Sequence, residues 1–165
     1  TKFKLRELVE DGVGILKVGP GLTYAAREGI FALCMIEEEL AQVYGFETSH
    51  FREELDKAML ANPGKWAPYY HGTENEIAFK RKYSFSDRCR YYLPQENVKN
   101  ALAKLLSNLK EHPVPLPLLS QYMPFQYTLV REGKLNNTPE DLIKARVMYT
   151  IEEYTYASHQ EELVR

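Results

Sequence analysis

The chain has 165 residues, of which 44% are hydrophobic and 27% are charged. This composition is typical of a globular protein with a hydrophobic core and excludes a disordered chain. The formal net charge of −2 provides no global attraction to nucleic acid or to an anionic membrane. Charged residues interrupt every apolar run before it reaches the ~20 residues that a membrane helix needs. The two cysteines lack the spacing of a disulfide framework, so we expect a reduced, cytoplasmic setting.

The first 44 residues predict a helix, a strand and a second helix. Residues 1–11 have helical periodicity, and because this pattern is already under way at Thr1, we expect the natural protein to extend further toward its N-terminus. Residues 13–18 are apolar and β-branched, which predicts a buried strand of a parallel sheet. Residues 22–44 then predict a helix with one apolar stripe and, at residues 37–39, a solvated acidic face.

The rest of the chain predicts a series of helices separated by proline and glycine. These helices are expected at residues 50–60, 74–82, 94–109, 124–131 and 139–156. Ser49 is expected to cap the first of them. The proline-rich residues 113–117 are expected to be extended, because proline lacks an amide donor and restricts φ.

The loop between the predicted strand and the second helix contains Gly-Pro-Gly at residues 19–21. Glycines permit close backbone approach, and free amides at the start of a helix attract anions. Lys17, Gly19, Gly21 and Thr23 therefore form a candidate phosphate-binding site. The same residues are equally consistent with a simple turn capped by Thr23, and the loop lacks the Gly-Lys-Ser/Thr ending of a nucleotide P-loop.

Residues 79–92 interleave basic and aromatic side chains. Such a mixture can bind phosphates or stack on bases. The favoured interpretation is a packed connector in which Arg88 pairs with Asp87 or with another carboxylate. His71, Asp87, Arg88 and Tyr91 are the candidate polar cluster of this region.

The histidines and cysteines show no metal or catalytic pattern. The four histidines are scattered, and none has a second ligand at the spacing of a metal site. Cys34 and Cys89 lack the spacing of a zinc, redox or disulfide motif, and neither has an evident base partner. We therefore assign no catalytic residue and no metal ligand in this chain.

Several segments, taken in order, resemble the non-catalytic (Z) subunit of D-tagatose-1,6-bisphosphate aldolase. They are ILKVGPGLTYAAREGIFAL (15–33), YHG (70–72), YSFSDR (83–88), RYY (90–92) and PLPLLSQY (115–122). Each segment is a weak signal by itself, but the ordered set extends across nearly the whole chain. The resemblance places this chain in the C-terminal portion of a longer family chain.

The resemblance implies an α/β parent fold of the (β/α)₈, or TIM-barrel, type. In it, residues 1–46 are the last βα unit with the preceding helix tail, and residues 47–165 are a helical C-terminal extension. The portion present is then mainly α with one barrel strand. The implied function is an accessory subunit that supports the activity and stability of a class II aldolase subunit in galactitol or N-acetylgalactosamine catabolism. Zinc is expected only in that catalytic partner, and no cofactor is expected in this chain.

Two other hypotheses stay open. One alternative is an enzyme in its own right, either an aldolase-like lyase or a sugar-phosphate kinase. It would bind a sugar phosphate through Lys17, Gly19, Gly21 and Thr23. The residues argue against a kinase, because no nucleotide loop and no acidic metal ligands can be assembled. The other alternative is a protein that binds nucleic acid through residues 80–90. Neither nucleic acid nor a membrane is the expected partner, and a homo-oligomer is left open.

Overall fold

The computed structural model describes residues 1–159, and every regular element within them is helical. The α-helices are α1 (Lys2–Glu10), α2 (Gly21–Tyr44), α3 (Phe51–Ala61), α4 (Glu74–Tyr83), α5 (Glu96–Glu111), α6 (Leu116–Tyr122), α7 (Pro124–Arg131) and α8 (Pro139–Ala157). Short 3₁₀ turns occur at Pro63–Lys65 and Cys89–Tyr91. None of the helices in this range has the length and apolar character of a membrane span.

The helices predicted from periodicity are confirmed, and α6 is an addition to them. Helix α6 begins inside the proline-rich segment, with Pro115 at its N-cap and Pro117 in its first turn. The expectation of an extended chain over residues 113–117 is therefore wrong at its C-terminal end. The first helical turn tolerates proline, because amides at that position have no intrahelical acceptor.

Residues 13–18 do not form the predicted strand. They have no regular structure, and no other strand lies beside them within residues 1–159. A strand is defined by hydrogen bonds to a neighbouring strand, whereas the amides of residues 14–18 donate no backbone hydrogen bond among the described residues. Ile15 is 87% exposed. The barrel expected from the resemblance is likewise not seen in this part of the chain.

Helix α2 is the centre of the fold. It packs most extensively against α8 and also contacts α3, α5 and α6. Leu33 and Ile36 are completely buried, and Gly29 faces α8, where a Cβ would be in van der Waals contact with the Cα of Ile143 at 3.4 Å. The helix ends at Gly45, whose φ of +75° is a left-handed conformation that glycine adopts at little cost.

The prediction of a solvated acidic face at residues 37–39 is wrong for Glu37, which is only 1% exposed. Its carboxylate accepts hydrogen bonds from the Ser49 amide at 2.9 Å, the Ser49 hydroxyl at 2.6 Å and the Asn108 side-chain amide at 2.6 Å. These bonds replace water around the buried charge and join α2 to α5 and to the loop before α3. The N-cap residue of α3 is His50 rather than Ser49, although the Ser49 hydroxyl accepts a hydrogen bond from the Phe51 amide at 3.4 Å.

Residues 1–46 and residues 47–159 pack against each other mainly through α8. Both α1 and α2 pack against this helix. On the α1 side, the Phe3 and Tyr156 rings meet edge to face with their centroids 5.8 Å apart. On the α2 side, Arg146 forms an ion pair with Glu28. Helix α8 thus fixes the turn before α2 relative to the rest of the molecule.

Candidate functional site

The Gly-Pro-Gly loop forms a tight turn at the start of α2. Gly19 has a φ of +61°, and the Thr23 hydroxyl donates to the Pro20 carbonyl oxygen at 3.0 Å. Lys17 is exposed on the approach to the turn. The first amides of α2 have no intrahelical acceptor, but the Gly21 amide donates to the Val18 carbonyl oxygen at 3.2 Å. The structure therefore places Lys17, Gly19, Gly21 and Thr23 along one turn, where Thr23 also has a structural role.

The predicted polar cluster divides into separate parts. Asp87 is buried and forms an ion pair with Arg27, with Nε and Oδ2 2.9 Å apart. The expected pairing of Arg88 with a carboxylate is wrong: its guanidinium lies over the Tyr69 ring, 3.4 Å from the centroid. Arg27 takes the Asp87 carboxylate because a buried cation needs an anionic partner. His71 is exposed, and its ring makes no hydrogen bond within residues 1–159.

The Arg27–Asp87 pair connects α2 to the segment after α4. The other carboxylate oxygen of Asp87 accepts the Cys89 amide at 2.7 Å. The Arg27 guanidinium lies 4.6 Å from the Tyr24 ring centroid and 5.2 Å from that of Phe31. Burial by itself would lower the pKa of Arg27, but the hydrogen bond and charge of Asp87 outweigh it and raise that pKa. The pair therefore holds α2 against the segment after α4.

A small depression, which we call the basic notch, lies beside this segment. It has a volume of about 230 Å³ and is lined by Gly64, Lys65, Tyr69, Arg88 and Tyr91. Arg90 is not part of this lining, but it contacts it by donating to the Tyr91 hydroxyl at 2.8 Å. Arg90, and to a smaller extent Arg88, lowers the pKa of Tyr91 from its ordinary value.

Sequence reasoning identified Arg88 and Tyr91 of the basic notch but missed Lys65 and Tyr69. Those two residues come from the loop after α3, more than fifteen positions earlier in the chain. The aromatic composition of residues 66–71 was the available signal. It shows that aromatic rings are present in the loop, but not which surface they line.

Both cysteines are enclosed by the core. Burial raises the pKa of the Cys34 thiol and of the Cys89 thiol far above the ordinary value. The Cys89 thiol also donates to the Arg81 carbonyl oxygen at 3.3 Å. Neither thiol is therefore activated as a nucleophile. In the part of the chain that the structure describes, no group of three or more His, Cys, Asp or Glu side chains could hold a metal ion.

A larger cleft of about 380 Å³ lies where α2, α6, α7 and α8 meet. The Glu28–Arg146 ion pair lies in its wall, as do the Phe125 and Tyr149 rings, whose centroids are 5.0 Å apart. Gln126 is buried, and its Nε2 has no hydrogen-bond partner among the described residues. Sequence reasoning missed this cleft because four separate helices contribute its residues.

Comparison with known proteins identifies similar chains. A family model described as D-tagatose-1,6-bisphosphate aldolase subunit GatZ/KbaZ-like matches residues 1–159. The crystal structure of a probable tagatose 6 phosphate kinase from Sinorhizobium meliloti 1021 is similar to this chain, with a TM-score of 0.85 and 37% sequence identity. The alignment covers 95% of this chain and 40% of that protein. This chain thus spans less than half the length of that relative.

Proposed function

Because the chain belongs to the D-tagatose-1,6-bisphosphate aldolase subunit GatZ/KbaZ-like family, we propose that it is part of an accessory, non-catalytic subunit of that aldolase. In this role the subunit supports the activity and stability of a separate class II catalytic subunit, which holds the zinc ion. The pathway proposed is galactitol or N-acetylgalactosamine catabolism. The observation that carries the proposal is the family match, which extends across residues 1–159.

The contacts of the polar side chains support an accessory role. Asp87 is engaged by Arg27 and by the Cys89 amide, and the Thr23 hydroxyl donates to the turn that precedes it. The Cys34 thiol is enclosed in the core. These side chains, which could otherwise take part in chemistry, stabilise the fold.

We further propose that residues 13–18 supply the last strand of a (β/α)₈ barrel. Residues 1–46 are then the last βα unit, and residues 47–165 are the helical extension. The amides of residues 14–18, which donate no hydrogen bond within residues 1–159, and the exposed Ile15 support this placement, because both suit a segment that joins a sheet. The order of extended segment, tight turn and helix is also that of a βα unit.

Hydrogen exchange on the protein tests the barrel placement. Strand amides that are paired on both sides exchange slowly, so we expect the amides of residues 14–18 to be protected to the same degree as those in the middle of α2. Exchange as fast as that of exposed turns would show that the segment does not join a sheet.

A coupled aldolase assay tests the accessory role. The cognate catalytic subunit is assayed with and without this protein, and its melting temperature is measured in the same mixtures. We expect both activity and melting temperature to rise, because a bound partner stabilises the native state by mass action. Serum albumin at equal concentration is the control for nonspecific protection. If neither quantity changes, the proposal is wrong.

The turn before α2 favours a second candidate function, a sugar-phosphate-binding enzyme. The observation that favours this function is that the exposed Lys17 and the first amides of α2 lie along the same turn. In a calorimetric titration, Lys17→Ala and Thr23→Val should each weaken sugar-phosphate binding. Lys99→Ala, which removes an exposed lysine from α5, is the matched control. Unchanged binding in the first two variants excludes this site.

A further inference from the structure

We propose that the basic notch binds the phosphate group of a small phosphate ester. The notch is lined by Gly64, Lys65, Tyr69, Arg88 and Tyr91. None of these residues belongs to the turn before α2. The inference therefore concerns a second site and does not depend on the accessory role.

The cations around the basic notch lack anionic partners. Four other arginines face carboxylates, in the pairs Arg27–Asp87, Arg52–Glu38, Arg81–Asp56 and Arg146–Glu28. Lys65, Arg88 and Arg90 form no ion pair with any residue in 1–159, and no carboxylate lines the notch. Three uncompensated positive charges on one small surface create a local positive potential, although the chain as a whole has a net charge of −2.

Arg88 has the geometry of an anion-binding guanidinium. Its guanidinium carbon lies 3.4 Å from the Tyr69 ring centroid, and this contact holds the group against the ring. Its backbone is also held, because the Arg88 amide donates to the Tyr70 hydroxyl at 3.2 Å. The Nε of Arg88 is buried and has no acceptor within the described residues. A buried N–H without an acceptor is unfavourable, and a phosphate oxygen would remove that cost.

The remaining groups of the basic notch match a phosphate ester in chemistry and size. The Lys65 Nζ lies 5.9 Å from the Tyr91 ring centroid, and Arg90 orients the Tyr91 hydroxyl. A phosphate ester carries close to two negative charges at neutral pH and several acceptor oxygens, which suit several cations and hydroxyls. The volume of about 230 Å³ is below that of a drug-sized pocket. It accommodates a phosphate group and a small part of its ester.

Titration with inorganic phosphate and with glycerol 3-phosphate tests the proposal. Affinity is measured by calorimetry, and the site is identified by the shift of the Arg88 Nε–Hε signal in a ¹H–¹⁵N spectrum. We expect both probes to bind and to shift that signal. Arg88→Gln should weaken binding about tenfold or more, because it removes charge-assisted hydrogen bonds to the anion. Lys65→Gln should weaken it by a smaller factor, since Lys65 acts as a point charge.

Arg131→Gln is the matched control. Arg131 also lies over a tyrosine ring, at 5.7 Å from the Tyr127 centroid, but it does not border the notch. Its substitution should leave phosphate affinity unchanged. If Arg88→Gln does not fold, Tyr91→Phe replaces it, because this change removes only the hydroxyl and should still weaken binding severalfold.

Three results would overturn the proposal. One is wild-type affinity in both Arg88→Gln and Tyr91→Phe, and another is an equal loss of affinity in Arg131→Gln. The third is an Arg88 signal that responds to a glutamate-rich peptide but to neither phosphate probe. That pattern would show that the basic notch docks an acidic protein segment instead of a phosphate ester.

Discussion

Substitution of Asp87 by asparagine should strongly destabilise the protein. Asparagine keeps the shape of the side chain and can still accept the Cys89 amide, but it leaves the Arg27 guanidinium without its anion. The side chains of the pair are only 4% and 2% exposed, so water cannot replace the lost partner. Removal of one partner from a buried ion pair costs about 3–5 kcal/mol. This is a large fraction of the about 5–15 kcal/mol that separates a native domain from its unfolded state.

Urea unfolding of a double-mutant cycle measures this effect. The cycle comprises the wild type, Arg27→Met, Asp87→Asn and the double variant, followed by circular dichroism. Because each single variant leaves one buried group unpaired, the double variant should lose less free energy of unfolding than the sum of the two singles. We expect a coupling of at least about 1 kcal/mol.

A half-exposed ion pair provides the matched control. Arg52 and Glu38 are 21% and 36% exposed at their side chains, so Glu38→Gln should cost less than about 1 kcal/mol. The reasoning is refuted if Asp87→Asn costs no more than Glu38→Gln. It is also refuted if the losses from Arg27→Met and Asp87→Asn are additive.

Three further predictions follow from individual contacts. Asn108→Ala should lower the free energy of unfolding by about 1.5 kcal/mol in urea titrations, because buried Glu37 loses a hydrogen bond to its charge; no change would contradict the role of that bond. Hydrogen bonds from the N-cap residue of α4 lower the pKa of Glu76 from 4.5. Its stabilising contribution is therefore present above pH 4.5 and lost as the pH falls through the lowered value. Unfolding between pH 3 and 6 should show a stability difference between wild type and Glu76→Gln that disappears in acid, and a constant difference would count against this assignment. Cys34 and Cys89 should react with Ellman's reagent at pH 8 far more slowly in the native protein than in urea, because burial raises the pKa of both thiols. Rapid native labelling would contradict their burial.

The helices of this protein could be predicted because their signals are local. Apolar spacing predicts α2 and α8, and residues such as Gly45 and Thr138 indicate where helices end or begin. Periodicity over a few turns needs no information from distant parts of the chain. The candidate turn before α2 could be predicted for the same reason, since its four residues lie within one short segment.

The partners of buried polar groups could not be predicted in this way. Glu37 reads as solvent-facing in a run of three acidic residues, yet donors 12 and 71 positions away enclose it. Arg27 lies within the helix that carries the apolar stripe, and it donates a hydrogen bond to Asp87, which is sixty positions later in the chain. No local rule associates such residues, because the free energy of their burial depends on which helices pack together.

The sequence by itself determined the helices other than α6 and the family that the chain resembles, because periodicity, turn residues and ordered motifs are local features of the chain. Only the tertiary structure decided that residues 13–18 have no strand partner within residues 1–159 and that Asp87 pairs with Arg27. It also decided that Lys65, Tyr69, Arg88 and Tyr91 share one notch. Strand pairing, charge burial and pocket formation all require groups distant in sequence to meet, and packing alone determines which of them do.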